Sequence, residues 1–581
     1  MTTIRPRDRP ARVALVALDR LLATRDTRRK RELLAVLTRA RFSRARDLVR
    51  LQRIICFILA FPEDGRVLRA ARALADTFHD RVRRLPSAER ARLDDSGMAG
   101  TVTRHVYCAS AARWLAERFG ANVELDWSSL SSDAIAALLA PSLHPLERDE
   151  LALTRRTTRR WFARARGERA GTALAWLLAQ APGNRAADER FQQDFDAAEV
   201  PLAWRLADGD GSITRNLLHA RPAWRADGMR RPDTDTRAAI LRPLEAMQVL
   251  PRRVAVRVID VWRAALWSRT RSTLHIERPN LDECYLGVFG GGLQMAAIGV
   301  EPATRDVLEP SFGYLLMANG VPIGYGGFTS LFAQVNTGIN VFPEFRGSEA
   351  AFAFEQALRL MHTLTGCVRF LINPYQFGAG NDEALQSGAY WFYYRFGFRS
   401  AHGAVQRLAG REFGRLQADR PYRVPITTLR RLAACDLYLD LTGDAAQRGF
   451  DERWLPALVK GIADASARVN EPNRAAAQRK LAAQVARVLR IDLAAWSRRE
   501  RTGFELLAPL VAQIEDLPRW PHQDQDALAA LCRARLAPRE RDYVGRMRDH
   551  DRLREALARA AQTRRRPLVS DVRLGSVCNR L

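Results

Sequence analysis

The sequence predicts an α+β protein: a mixed sheet with helices in the centre of the chain, flanked by two mainly α-helical regions. Three observations predict it. Apolar residues recur at three- and four-residue spacing, with arginine between them, up to about residue 225 and again beyond Pro425. From about Leu274 the texture changes to short apolar runs, and Asn319-Gly320 sits between two of them as a hairpin signal. The charge changes there too. The chain carries +27, yet Leu274–Gly410 holds eight arginines against eleven acidic residues (net −3), so the flanks carry +30.

Taken in order, helices are predicted at Ala14–Leu22, Arg31–Leu37, Ala45–Leu59 and Val67–Leu85, with Pro62–Gly65 as a turn. Further helices follow at Thr101–Phe119, Ser132–Leu139, Pro145–Ala165 and Ala170–Leu178. Pro182-Gly-Asn184 and Ala207–Ser212 break the pattern, and the polar stretch Arg225–Thr236 reads as a linker. Strands are predicted at Cys284–Phe289, Gln294–Val300, Phe312–Met317, Ile323–Ser330 and Gly338–Phe342. A helix over Ala350–Leu364, a strand at Val368–Ile372, a helix over Ala384–Phe396 and a strand from Phe398 complete the centre. Helices return at Thr428–Leu439, Trp454–Val469, Arg474–Trp496, Phe504–Ile514, Asp526–Leu536 and Val544–Ala561, before a basic tail. The organisation implied is a helical N-terminal region (1–225), a linker with a connecting helix (226–264), the mixed α/β domain (265–420) and a helical C-terminal region (421–581). A chain of this length can bury several cores.

Almost all cations are arginine; Lys30, Lys460 and Lys480 are the only lysines. The blocks Arg28–Arg31, Arg155-Arg156 with Arg159-Arg160, and Arg564–Arg566 point to an acidic partner, a nucleic acid or an acidic protein, met by the flanks; solvated helix faces in an arginine-biased composition are the bland alternative. The seven cysteines are scattered, with no C-x-x-C pair, which argues against a zinc site or a disulfide framework and fits a reducing cytoplasm. No signal-peptide pattern opens the chain. The strongest apolar run, Ile54–Phe61, is far shorter than the ~20 residues a membrane span needs, so no span is expected.

The chemistry is concentrated in two segments, Val341-Phe-Pro-Glu-Phe-Arg-Gly-Ser-Glu-Ala-Ala351 and Gln386-Ser-Gly-Ala-Tyr-Trp-Phe-Tyr-Tyr-Arg-Phe-Gly-Phe398. Together they resemble the cofactor-binding half of the GNAT-type acyl-CoA N-acyltransferases. In that family the fourth strand splays from the fifth, and the pantetheine arm of acyl-CoA pairs with strand backbone in the gap. The turn that follows cradles the pyrophosphate on amides at a helix N-terminus, where unpaired N–H groups and the helix dipole favour an anion. The resemblance implies that Val341 and Phe342 meet pantetheine and the thioester carbonyl. It places Arg346, Gly347, Ser348, Glu349, Ala350 and Ala351 at the phosphates of acetyl-CoA, the acyl donor. Glu349 stands where the family pattern has glycine.

The second segment matches the family's Asn-x-x-Ala-x-x-x-Tyr-x-x-x-Gly-Phe, with Gln386 in place of Asn and with Ala389, Tyr393, Gly397 and Phe398 in register. By position Tyr393 inherits the role of acid toward the departing thiolate, with Tyr394 as its neighbour and alternative. Glu344, the nearest acid in sequence to the turn, is the candidate base; Glu277 and Asp282 are further ones, and Asn373 and Gln376 are candidate ligand contacts. The implied function is transfer of an acetyl group from acetyl-CoA to a small-molecule or protein amine by direct attack in a ternary complex. Two other readings use the same fold: an inactive interaction domain, which Glu349 favours, and aminoacyl transfer from charged tRNA, which the basic flanks favour.

Overall fold

The computed structural model describes residues 9–153, 158–181, 185–207, 209, 211–226, 228–244, 247–442 and 450–564. The blocks at Arg155-Arg156 and Arg565-Arg566, the turn Pro182–Asn184 and most of the basic tail therefore lie outside the described residues. The fold is mixed α/β.

The N-terminal helices form as their periodicity demands. The helix Ala45–Ala60 buries Leu48, Leu51, Ile54, Ile55, Ile58 and Leu59, and Asp64 caps the next helix, Gly65–Asp76, through the amides of Arg66 and Val67. Thr77 separates that helix from a short one, Phe78–Arg83, where one continuous helix is expected. Val102–Val106 departs further. It begins a predicted helix but forms strand β1, pairing with β3 (Pro201–Arg205), which also pairs with β2 (Val123–Leu125). The β-branched Val102, Thr103 and Val106 fit a strand once a partner remote in sequence is in place, and the helix proper starts only at Ala109.

The central sheet has nine strands: β4 (Met247–Val249), β5 (Pro279–Val288), β6 (Leu293–Val300), β7 (Ser311–Ala318), β8 (Val321–Leu331), β9 (Gln334–Val341), β10 (Arg369–Ile372), β11 (Arg399–Ser400) and β12 (Leu437–Asp440). Their order is β11-β12-β10-β9-β8-β7-β6-β5-β4. Neighbours from β4 to β9 are antiparallel, and β9 pairs with β10 in parallel through the crossover helix Ala350–Thr365. Asn319 and Gly320, both at positive φ, close the β7–β8 hairpin as predicted. Two strands come from outside the predicted central segment. β4 lies in the stretch read as linker, and β12 overlaps the end of the predicted helix Thr428–Leu439, where the helix observed, Ile426–Leu432, stops early. Leu437-Tyr-Leu-Asp440 is drawn into the sheet because β10 and β11 both offer it an unpaired edge.

The linker is docked across the molecule. Arg225 meets Glu63, a partner it shares with the buried Lys30 (2.8 Å). Asn319 accepts from the Ala223 amide and donates to the Ala60 carbonyl. Asp233 N–H donates to Glu355 on the crossover helix at 2.8 Å. The C-terminal helices have a second core around Phe504, Leu528, Leu531 and Leu557. A buried charge group joins them to the sheet: Arg305 and Arg535 against Glu283 and Glu540, with Glu283 also accepting the Glu540 and Arg541 amides. Among the described residues no helix is long and apolar enough to cross a membrane.

Candidate functional site

The feature that organises the site is a separation between two parallel strands. β9 and β10 pair only over Gln334–Thr337 and Arg369–Ile372. Pro374, which has no N–H, then turns the chain away, and the Asn373 side chain accepts from the Tyr375 amide at 3.0 Å. β9 continues through Gly338–Val341, paired on its β8 side alone. Backbone groups alternate along a strand. Phe342 N–H donates to the Ile323 carbonyl on the β8 side, so Ile339 and Val341 face the gap. The Tyr393 hydroxyl accepts the Ile339 N–H, and Arg346 Nε lies 3.5 Å from the Val341 carbonyl. The Ile339 carbonyl and the Val341 amide stand on the open edge.

Tyr393 reaches this edge from the helix Ala389–Arg395. The single helix predicted for Ala384–Phe396 is two helices, Asp382–Ser387 and Ala389–Arg395, hinged at Gly388, whose φ of +67° suits glycine. Tyr393 is 2% exposed and packs edge-on to Phe354 of the crossover helix, with ring centroids 5.6 Å apart. Burial pushes its hydroxyl well above the ordinary range, while the hydrogen bond from Ile339 pulls the other way. The phenol is therefore a neutral proton donor at physiological pH. Beside it, Tyr314 donates to the Gly338 carbonyl at 2.6 Å. Tyr394 is engaged elsewhere, its ring under the Arg399 guanidinium at 3.7 Å.

The turn after β9 runs through the short helix Pro343–Phe345 and Gly347, at φ +82°, into the helix Ala350–Thr365. No side chain caps that helix at Glu349. Ser348 donates its hydroxyl to the Phe345 carbonyl at 2.5 Å. The Glu349 carboxylate, 3% exposed, is held by Arg230 from the docked linker: Nη2 at 2.5 Å, Nε at 2.9 Å and the backbone amide at 3.1 Å. Arg230 also stacks on Phe352, 4.3 Å from the ring centroid. Glu349 is thus neutralised, and only its backbone is left for a ligand. Ala350 and Ala351 open the helix, partly accessible.

The remaining predicted residues are distributed around this turn. Arg346 pairs with Glu383 at 2.6 Å on the surface. Glu344 is paired with Arg269 at 3.2 Å, and its other oxygen is buried with no hydrogen-bond partner. Arg269 covers the Phe342 ring at 3.8 Å, and the helix Ala45–Ala60 packs on the turn. Gln386 is exposed on the short helix Asp382–Ser387. Gln376 lies over Gly338, where a Cβ would overlap its side chain. Sequence reasoning missed Arg230, Arg269 and Tyr314. Glycines inside the β7, β8 and β9 runs were the available signal, since they mark close approach by other groups.

Among the described residues no group of three or more His, Cys, Asp or Glu is placed to hold a metal ion. No protein-family model matches the chain, and neither a curated protein nor a solved structure is significantly similar to it.

Proposed function

We propose that this protein is a GNAT-like N-acyltransferase that transfers an acetyl group from acetyl-CoA to an amine. The observation that carries the reading is the open edge of β9, where Ile339 C=O and Val341 N–H stand free beside the Tyr393 hydroxyl. A peptide-like pantetheine arm has one acceptor and one donor to match them. The uncapped start of the helix Ala350–Thr365, with Gly347 before it, offers amides to a pyrophosphate. The carboxylate at Glu349 would oppose an anion there, and its pairing with Arg230 removes that objection.

The chemistry follows from these groups. The amine nitrogen forms a bond to the thioester carbonyl carbon, the C–S bond breaks, and the thiolate takes the Tyr393 proton. The amine loses its own proton to a base or to solvent, from which Tyr393 is reprotonated. Val341 N–H is a donor in reach of a developing oxyanion on the open edge.

Calorimetry with acetyl-CoA tests the reading. Saturable binding by the wild-type chain that Tyr393→Phe leaves intact, together with loss of acetyl transfer in that variant, is expected. Absence of binding by the wild type overturns it.

A further inference from the structure

A segment of the docked chain lies along the helix Gly65–Asp76 and walls a surface crevice with it. Leu68 and Arg72 of the helix line one side, and Leu217, His219 and Pro222 of the segment line the other. Beyond the C-terminal end of the crevice Arg215 pairs with Asp76 at 3.3 Å. At its other end a Cβ placed on Gly65 would lie 3.5 Å from Arg69 Nη1 and 3.8 Å from the Trp224 ring. The segment therefore runs antiparallel to the helix and sets Trp224 beside Arg69.

Two features of this crevice point to a ligand. The first is Trp224, 50% exposed, the one exposed tryptophan among the chain's twelve. It does not sit on a loose loop. Leu218 N–H donates to the Gly320 carbonyl at 2.8 Å, Ala223 N–H to the Asn319 side chain at 2.7 Å, and Arg225 N–H to the Pro62 carbonyl at 2.8 Å. An indole is thus held in a fixed place where folding leaves half of it uncovered. The second feature is charge. Arg69, Arg72 and Arg221 are exposed and have no acidic partner among the described residues. The block Arg28–Arg31 is different: Lys30 is buried on Glu63, and Arg28 and Arg29 pair with Glu32. The acids at the start of the crevice are already engaged, Glu63 by Lys30 and Arg225, and Asp64 by the amides of Arg66 and Val67.

Independently of the acyltransferase reading, we infer that this crevice binds a single-stranded nucleic acid, one unpaired base stacking on Trp224 and the adjoining phosphates meeting Arg69, Arg72 and Arg221. Stacking on a side chain needs a base free of its neighbours in a duplex, which selects single strands. Cations without local acids favour a uniformly anionic backbone over a protein surface of mixed charge. Gly65 to Arg72 spans ~10 Å along the helix axis, so the contact is with a short stretch of strand.

Fluorescence anisotropy of a short labelled oligouridylate on the full chain tests the site. Because the chain carries +27, binding is read against heparin, a polyanion without bases. Trp224→Ala should weaken oligouridylate binding about tenfold and Trp224→Phe should restore most of it, with heparin affinity unchanged by either. Pairing the probe with oligoadenylate should remove the dependence on Trp224. Arg69→Gln and Arg72→Gln should each lower the slope of log affinity against log salt by about 0.7, and Arg160→Gln, on the helix Thr158–Arg166, should not. No oligouridylate binding, unchanged affinity in Trp224→Ala, or equal losses for oligouridylate and heparin overturns the inference. So does polyglutamate binding that Trp224→Ala weakens as strongly, which would make the partner an acidic protein.

Discussion

Arg230→Ala is the most informative perturbation of the proposed donor side. Glu349 is 3% exposed and receives three hydrogen bonds from Arg230, two from the guanidinium at 2.5 and 2.9 Å and one from its backbone amide. The substitution leaves a buried carboxylate with the amide alone. Breaking a buried pair from one side costs about 3–5 kcal/mol. Arg230 is about a quarter exposed, which places the cost near the lower figure, ~3 kcal/mol. Loss of its stacking on Phe352 adds ~0.5–1 kcal/mol. Glu349→Ala frees Arg230 to turn to water and costs less. The double variant removes the stranded charge, so the cycle should show a coupling of about 1–3 kcal/mol.

Local hydrogen exchange over residues 228–235 and the first turn of the helix Ala350–Thr365 measures this without requiring the whole chain to unfold in one step. Acetyl-CoA affinity should fall in Arg230→Ala, where an unpaired anion adjoins the proposed phosphate site, and recover in the double variant. Additive effects on both readouts would refute the reasoning.

Further outcomes follow from the same geometry. On the proposed acyltransferase reading, Tyr393→Phe removes the proton donor proposed for the thiolate and should lower kcat by about 10²-fold or more with little change in donor affinity, measured by steady-state kinetics. Glu452 retains in the folded state a proton that the unfolded chain releases near pH 4.5, so stability falls as pH rises from there to about 8. Glu452→Gln reduces that fall by Glu452's share, whose ceiling is about 5 kcal/mol, and denaturation midpoints across pH 5–9 measure it; an unchanged pH profile counts against the buried carboxyl. Arg535→Met leaves Glu540 without one of its two arginines and should destabilise the C-terminal helices by about 3 kcal/mol. Chemical denaturation measures that loss, and acetyl-CoA affinity should not change.

The sequence by itself determined the elements whose stabilisation is local. Helical periodicity placed Ala45–Ala60 and Ala350–Thr365 to within a residue or two, and Asn319-Gly320 fixed a hairpin because those two residues tolerate positive φ. It also singled out the two segments Val341–Ala351 and Gln386–Phe398, and the fold brings Tyr393 of the second to Ile339 on the strand that leads into the first. Where long-range pairing competes with local preference, only the tertiary structure decided. Val102–Val106 and Leu437–Leu439 read as helix, yet each became strand because an unpaired edge elsewhere supplied its hydrogen bonds. The same holds for charge. Glu349 and Arg230 are 119 positions apart, and nothing in either neighbourhood announces the pair. A carboxylate's effect on a phosphate site depends on which cation neutralises it, and burial and partner choice are properties of the folded chain.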